Sequence, residues 1–161
     1  MLKINGLKFN NPKLEQKIKK RLEAKASLEV GFIDSSKYPN GASVATVAFW
    51  NNYGTITSPA RPFFDNAISE NQKKWFKTYK DAMQSTKNSL KALEITGTII
   101  KDDIAQSIVD YNEVPNSEVT INGGFVRTKN GKVIKIKGKG SSNPLVDTVF
   151  MASNVTYKVS K

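Results

Sequence analysis

The residues of this sequence best suited to chemistry are carboxylates, because the chain contains neither cysteine nor histidine. Lack of both types excludes disulfides, thiolate metal sites and the usual general base near neutral pH. Asp102, Asp103 and Asp147 are the candidates for an enzyme that uses a divalent metal. Adjacent positions on a helix, however, point about 100° apart. The pair at 102 and 103 therefore favours a solvated helix face over a shared site.

The other catalytic motifs are absent, or they lack the secondary-structure setting that they require. Asp147 precedes Thr148 and suits a helix N-cap. The stretches "NGKV" and "GKGSS" lack the strand-to-helix setting of a phosphate-binding loop. No serine lies in a nucleophile elbow, and the usual triad needs histidine. We therefore expect a protein that is not an enzyme and that uses no cofactor or metal.

Hydrophobic periodicity predicts one α+β domain over residues 1–161, in which a small antiparallel sheet packs against two long amphipathic helices. The first predicted elements are a basic helix (about 12–24), a strand in "SLEVGFI", a turn in "YPNG" (38–41) and a helix (43–53) that ends at Gly54.

Two long helices follow a loop. Apolar residues recur every three or four positions from Pro62 to about Gln84, and again from Leu90 to Ile108 beyond the polar "STKNS". Gly97, inside the second helix, costs about 1 kcal/mol against alanine. Because the apolar stripe keeps its phase there, we predict that another backbone approaches closely at this glycine. A break in the helix is the alternative.

The sequence after the second long helix predicts mainly β-structure. "SEVTI" predicts a short strand, and 125–139 an inserted, projecting β-hairpin that turns at Asn130-Gly131. "VDTVFMAS" fits the start of a short helix, and "NVTYKVS" a closing strand.

Positive charge is concentrated at the two ends. The net charge is +11, and residues 1–25 and 114–161 each carry eight basic residues against two acidic ones. The candidates for a basic surface are Lys19, Lys20, Arg21, Lys132, Lys135, Lys137 and Lys139. Such a surface favours nucleic acid, an anionic membrane or an acidic protein. Lysines that only keep the protein soluble are the alternative.

The loop "WNNYGTITSPARPFF" (50–64) concentrates aromatic residues where solvent would meet them. Tyr53, Phe63 and Phe64 are candidate anchors in a neighbouring subunit, and Arg61 can make a planar bidentate contact. Alternatively, the two phenylalanines begin the core face of the next helix and Arg61 binds a carboxylate of its own chain. Phe64 is the better core candidate, because it is in phase with Ile68.

Several motifs follow one another in a specific order: "VGF" (30–32), "YPNGASVATVAFWNNYGT" (38–55), "PARPFF" (59–64) and "NPLVDTVFMASNVTYKV" (143–159). Over about 28–110 and 141–159 the chain resembles the neck and tail-completion proteins of long-tailed bacteriophages. The resemblance implies a structural virion protein, assembled in the host cytoplasm, which forms a ring of commonly six copies at the head–tail junction. Its implied partners are the tail tube, the head connector and DNA in the lumen.

This chain departs from the family pattern in three places. Asn52 stands where the family has an acidic residue, so no salt bridge from this position to Arg61 is expected. Val149 replaces a glycine, which implies a different backbone geometry after Thr148. The hairpin at 125–139 looks like an insertion.

The rival function is a small basic nucleic-acid-binding module. The charge and the lysine-rich hairpin favour it, but residues 125–139 offer only Phe125 as a stacking platform. No apolar run approaches the roughly 18 residues that span a membrane, and "MLKINGLKFNNPK" does not resemble a signal peptide. We therefore expect a soluble, intracellular product without a membrane partner.

Overall fold

The predicted α+β class is confirmed. The computed structural model describes residues 12, 13, 16, 26–33, 36–128, 130–138, 140 and 149–161. The elements are β1 (Ser27–Gly31), α1 (Val44–Tyr53), α2 (Phe63–Thr86), α3 (Ser89–Asp110), α4 (Glu118–Asn122), β2 (Gly123–Arg127), β3 (Val133–Lys137), α5 (Val149–Ser153) and β4 (Thr156–Ser160). They include two antiparallel sheets of two strands each, and α2 packs along α3.

Some sequence predictions fall beyond this description. Of the helix expected at 12–24, residues 12, 13 and 16 are helical. The expected basic residues Lys19, Lys20, Arg21 and Lys139 lie outside the described residues, as does Asp147.

The core forms where α1, α2 and α3 meet the C-terminal segment. Its buried members are Val44, Ala48, Phe63, Ala67, Ile104, Ile108, Tyr111, Met151 and Val155. Alanines at 67, 82 and 92 are buried on α2 and α3, and such small side chains let two helices approach closely. Ser107 adds a hydrogen bond from its Oγ to the carbonyl of Phe63, 2.7 Å away.

The sheet of β1 and β4 packs on α3 at Gly97. A Cβ added to Gly97 would lie 2.6 Å from Cδ2 of Tyr157 and 2.9 Å from Cδ1 of Leu28. The helix continues without a break, so the alternative of a break is excluded. The prediction that another backbone approaches at Gly97 was wrong, because the atoms that approach are side chains of β4 and β1.

The prediction of a strand at "SEVTI" was wrong, because these residues form α4. The Ser117 hydroxyl accepts a hydrogen bond from the Thr120 backbone N–H, and Glu118 stands in the first turn. An N-cap and an acidic first turn both stabilise a helix start. Here they outweigh the β preference of three β-branched residues.

The predicted hairpin is confirmed, with β2 starting two residues earlier than expected. Phe125 pairs with Lys135 and Val126 with Ile134, and the connection contains Asn130-Gly131. The hairpin base packs against α4, where Gly138 leaves no space for a side chain: an added Cβ would lie 2.6 Å from the Gly123 nitrogen.

Candidate functional site

The loop between α1 and α2 (54–62) is held by its own hydrogen bonds. Thr55 and Ser58 form a β-bridge, with 2.8 Å from the Thr55 nitrogen to the Ser58 oxygen. The Arg61 backbone N–H donates to the Asn51 carbonyl at 2.7 Å. Gly54 ends α1 with φ 77°, a value that favours glycine. The loop is therefore ordered without a partner.

The Arg61 side chain stabilises this loop through two hydrogen bonds. Its Nε donates to the Val114 carbonyl at 3.3 Å, and its Nη1 donates to Asn51 Oδ1 at 3.4 Å. Arg61 has no carboxylate partner in the described part of the chain, and the alternative in which it binds a carboxylate of its own chain stays a prediction for the acidic residues outside that part. Among the same residues, Nη2 has no acceptor and is left for an external one.

Asn52 is buried and joins α1 to the start of α2. Its Oδ1 accepts a hydrogen bond from the Phe64 backbone N–H, and its Nδ2 donates to Asp65 Oδ2, both at 2.9 Å. One amide thus satisfies an unpaired N–H of the α2 first turn and an adjacent carboxylate. A carboxylate at position 52 would instead repel Asp65. The departure from the family pattern at Asn52 therefore has a local structural explanation.

The structure places the three candidate aromatic anchors differently from one another. Phe63 is 1% exposed and belongs to the core of its own chain, so it is not accessible to a neighbour in this conformation. Phe64 is half-buried and packs against that core. Tyr53 is exposed, with its ring centroid 4.9 Å from that of Phe49.

The outer side of α1 carries a cluster of exposed apolar side chains that continues into the loop. Phe49, Trp50, Tyr53 and Ile56 are each more than half exposed, and we call these four residues the α1 patch. Large apolar clusters on a protein surface commonly mark interaction sites. Trp and Tyr are also the residue types most often found at interface hot spots.

An apolar groove adjoins the α1 patch. It has a volume of about 320 Å³, and its wall includes Val30, Phe32, Phe49, Tyr53 and Phe64. Trp50 and Arg61 line another groove, of about 340 Å³, together with Thr57 and Ser58. The patch therefore offers both projecting rings and recesses to a partner.

Sequence reasoning had singled out Tyr53 but neither Phe49 nor Ile56. The signal was available in the helical period. With Val44, Ala48 and Asn52 facing inward, positions 49, 50 and 53 of the same helix must face outward.

The carboxylate candidates do not form a catalytic pair. Asp103 binds Lys74 Nζ at 2.6 Å through Oδ1, and its Oδ2 accepts from Trp75 Nε1 at 2.7 Å. Asp103 thus links α3 to α2. The sequence had predicted a solvated side chain at this position. Asp102 lies on the exposed side, 3.3 Å from Lys101. Within the described ranges, no group of three acidic side chains is placed to hold a metal ion.

Within the described residues, the ladder of the hairpin presents Arg127, Lys135 and Lys137 on one face. Cross-strand partners share a face, so Phe125 lies beside Lys135, and Arg127 and Lys137 flank them. All four are exposed, as is Lys132 at the turn. The opposite face, with Val126 and Ile136, is partly buried.

A polar groove of about 280 Å³ lies at the C-terminal end of α3 against α2, and we call it the acidic groove. Its wall includes Glu70, Asp110, Glu113 and Tyr111. The Tyr111 hydroxyl is buried and has no hydrogen-bond partner among the described residues. Burial raises the pKa of Tyr111, the Glu113 charge raises it further, and Arg61 opposes the shift.

No protein-family model, curated protein or solved structure matches this chain. None of the helices in the described ranges is long and apolar enough to cross a membrane.

Proposed function

We propose that this chain is a structural protein of the phage neck, a subunit of a ring at the head–tail junction. The ring completes or terminates the tail and joins it to the head connector. One observation carries the proposal: the α1 patch, four exposed apolar side chains on a helix and loop that are already ordered. Such a surface suits a contact that forms on assembly.

The loop is already ordered, and this affects how tightly the patch can bind. The Arg61 and Asn51 hydrogen bonds hold the loop before any partner arrives, so little conformational entropy is lost on association. Arg61 and Trp50 line the same groove, and Nη2 of Arg61, which has no acceptor among the described residues, can donate to a carbonyl or carboxylate of the neighbour. A ring at the head–tail junction needs a surface for the tube or the connector besides the faces between its own copies, and the patch serves as that surface.

The motif order supports the phage assignment. "PARPFF" is the segment that turns from the loop into α2, and Asn52 and Arg61 hold it on both sides. The role of the motif is then to fix the loop and the α2 start, so that the α1 patch is presented in one geometry. We propose six copies in the ring, the tail tube and head connector as partners, and the virion as its location.

Replacement of Trp50 and Ile56 by aspartate tests this function. The chosen measurement is joining of heads to tails in a lysate that lacks the protein, scored as infectious particles. We expect the Trp50→Asp/Ile56→Asp variant to fold and to reduce joining at least a hundredfold. Phe76→Asp is the matched control, because Phe76 is exposed on α2 outside the patch. Equal joining by the patch variant and the wild type would contradict the proposal.

A nucleic-acid-binding module remains the second candidate, and one observation favours it. Phe125 is 72% exposed on the same face as Lys135, Arg127 and Lys137, as a base-stacking platform among cations would be. This candidate predicts binding of single-stranded DNA that falls steeply with salt and weakens with Phe125→Ala.

A further inference from the structure

The hairpin is an arm that carries uncompensated charge. Arg127, Lys132, Lys135 and Lys137 form no ion pair within the described part of the chain. Arg127 and Lys137 lie at opposite ends of the ladder, four residues or about 13 Å apart along the strands. The exposed face therefore presents a row of cations.

The hairpin base is held rigidly against α4. The Gly140 N–H donates to the Ile121 carbonyl at 2.9 Å, just beyond the end of β3. At Gly138 and Gly123 the two strands and α4 approach so closely that an added Cβ would meet backbone atoms within 3 Å. The orientation of the hairpin relative to α4 is thus set by backbone contacts at its base.

The acidic groove at the end of α3 carries uncompensated charge of the opposite sign. Glu70, Asp110 and Glu113 have no cationic partner in the part of the chain that the structure describes. Neutral amides orient two of them: Gln106 Nε2 donates to Asp110 Oδ1 at 2.8 Å, and Asn66 Nδ2 donates to Glu113 Oε1 at 3.4 Å. These carboxylates are positioned, yet not neutralised.

The wall of the groove also includes Tyr111, whose buried hydroxyl is unpaired within the described part of the chain. Its side chain is only 5% exposed and lines the groove, while its hydroxyl has no partner among the described residues. An unpaired buried hydroxyl costs about 1–3 kcal/mol. A lysine ammonium in the groove, whose wall includes Tyr111, would pair with the carboxylates.

We propose that the lysine face of the hairpin of one copy docks in the acidic groove of a second copy. The groove runs along α3 from Asp103 to Asp110, about 10 Å by helical rise, and continues to Glu113, which approximates the length of the cation row. Hairpin and groove are different surfaces, so the contact is head-to-tail and can close a ring. This inference rests on the proposed ring and names the interface for it.

Charge reversal on each side separately tests the docking. The hairpin variant carries Lys132→Glu, Lys135→Glu and Lys137→Glu, and the groove variant carries Glu70→Lys, Asp110→Lys and Glu113→Lys. Sedimentation of the full chain at low salt measures self-association. We expect each variant alone to associate at least tenfold more weakly than wild type, because like charges then meet. An equimolar mixture should recover association, since both of its interfaces are complementary again.

A control variant has the same change in net charge as the hairpin variant. It tests whether weaker association is a general effect of net charge. Lys73→Glu, Lys77→Glu and Lys80→Glu alter exposed lysines of α2 outside the groove wall. We expect this variant to associate within about twofold of wild type.

The absence of natural cysteines allows a direct test of proximity. A Lys135→Cys chain mixed with a Glu113→Cys chain should give a crosslinked dimer with a short bismaleimide, with little product from either chain alone. Crosslinking of the mixture no better than that of a Lys135→Cys and Lys80→Cys mixture would overturn the inference.

The remaining outcomes separate this inference from the proposed function. Wild-type chains that bind DNA through the hairpin and do not associate would overturn the docking in favour of the nucleic-acid module. Rings that persist in both charge-reversed variants would overturn the docking while the neck function stands. Docking that is intact in a chain inactive in head–tail joining would support the interface and contradict the neck function.

Discussion

At the scale of single residues, Asn52 shows how one amide fixes the loop geometry. It accepts from the Phe64 N–H and donates to Asp65, which a carboxylate at the same position cannot do. We expect Asn52→Asp to lower the free energy of unfolding by about 1–2 kcal/mol, through the lost donor and the repulsion of Asp65. Urea denaturation measures this change in the free energy of unfolding.

The compensating change supplies the control for Asn52. In Asn52→Asp/Asp65→Asn the donor and acceptor are exchanged between the two positions, so most of the lost stability should return. If the double variant is as unstable as the single one, the Asn52–Asp65 hydrogen bond is not the cause.

Two tyrosines with buried hydroxyls predict a specific alkaline sensitivity. Burial raises the pKa of both Tyr38 and Tyr111 in the folded chain. Between the unfolded value of about 10 and the raised value, the unfolded state binds fewer protons, so stability falls as pH rises. We expect the Tyr38→Phe/Tyr111→Phe variant to lose less stability than wild type between about pH 9 and pH 11.

Near neutral pH the same double variant should be as stable as wild type or slightly more so. Both hydroxyls are buried without a partner among the described residues, so their removal abolishes a desolvation cost. Thermal denaturation in high salt, which weakens charge contacts between copies, is the measurement. A loss above about 1 kcal/mol would mean that these hydroxyls do form hydrogen bonds.

At the scale of elements, Gly97 is a position where packing and helix propensity oppose each other. Propensity alone predicts that Gly97→Ala stabilises α3 by about 1 kcal/mol. The added Cβ would overlap the Tyr157 ring and the Leu28 methyl, and such overpacking costs about 1–3 kcal/mol. We expect net destabilisation, measured by urea denaturation. A more stable variant would show that β4 shifts freely on α3.

The sequence predicted elements well where several local signals agreed. α1 was correctly ended at Gly54, and the Asn130-Gly131 turn located the hairpin. "SEVTI" was predicted wrongly because side-chain β preference was weighed without the Ser117 cap. Five residues are too few for periodicity to decide between strand and helix.

The prediction of the candidate site was less complete, for a geometric reason. Phe63 and Phe64 each have an apolar residue four positions on, so the helical period fits both. The structure buries Phe63 with Ala67, and the choice depends on the angle at which α2 leaves the loop. That angle is set by the Asn52 hydrogen bonds, which a sequence pattern does not reveal.

At the scale of the whole molecule, the surface divides into complementary parts. The α1 patch is apolar, the hairpin face is basic, and the groove at the end of α3 is acidic. None of the three has an occupant within the described chain. A ring of identical copies would cover the basic and acidic surfaces with each other and leave the α1 patch for assembly contacts. The proposed function and the docking inference thus use different surfaces.

Imaging of the purified chain and of particles that contain it, with mass determination, tests the central claim most directly. The account predicts closed rings of six copies, or density for the chain confined to the head–tail junction. A persistent monomer that is absent from the junction would contradict it.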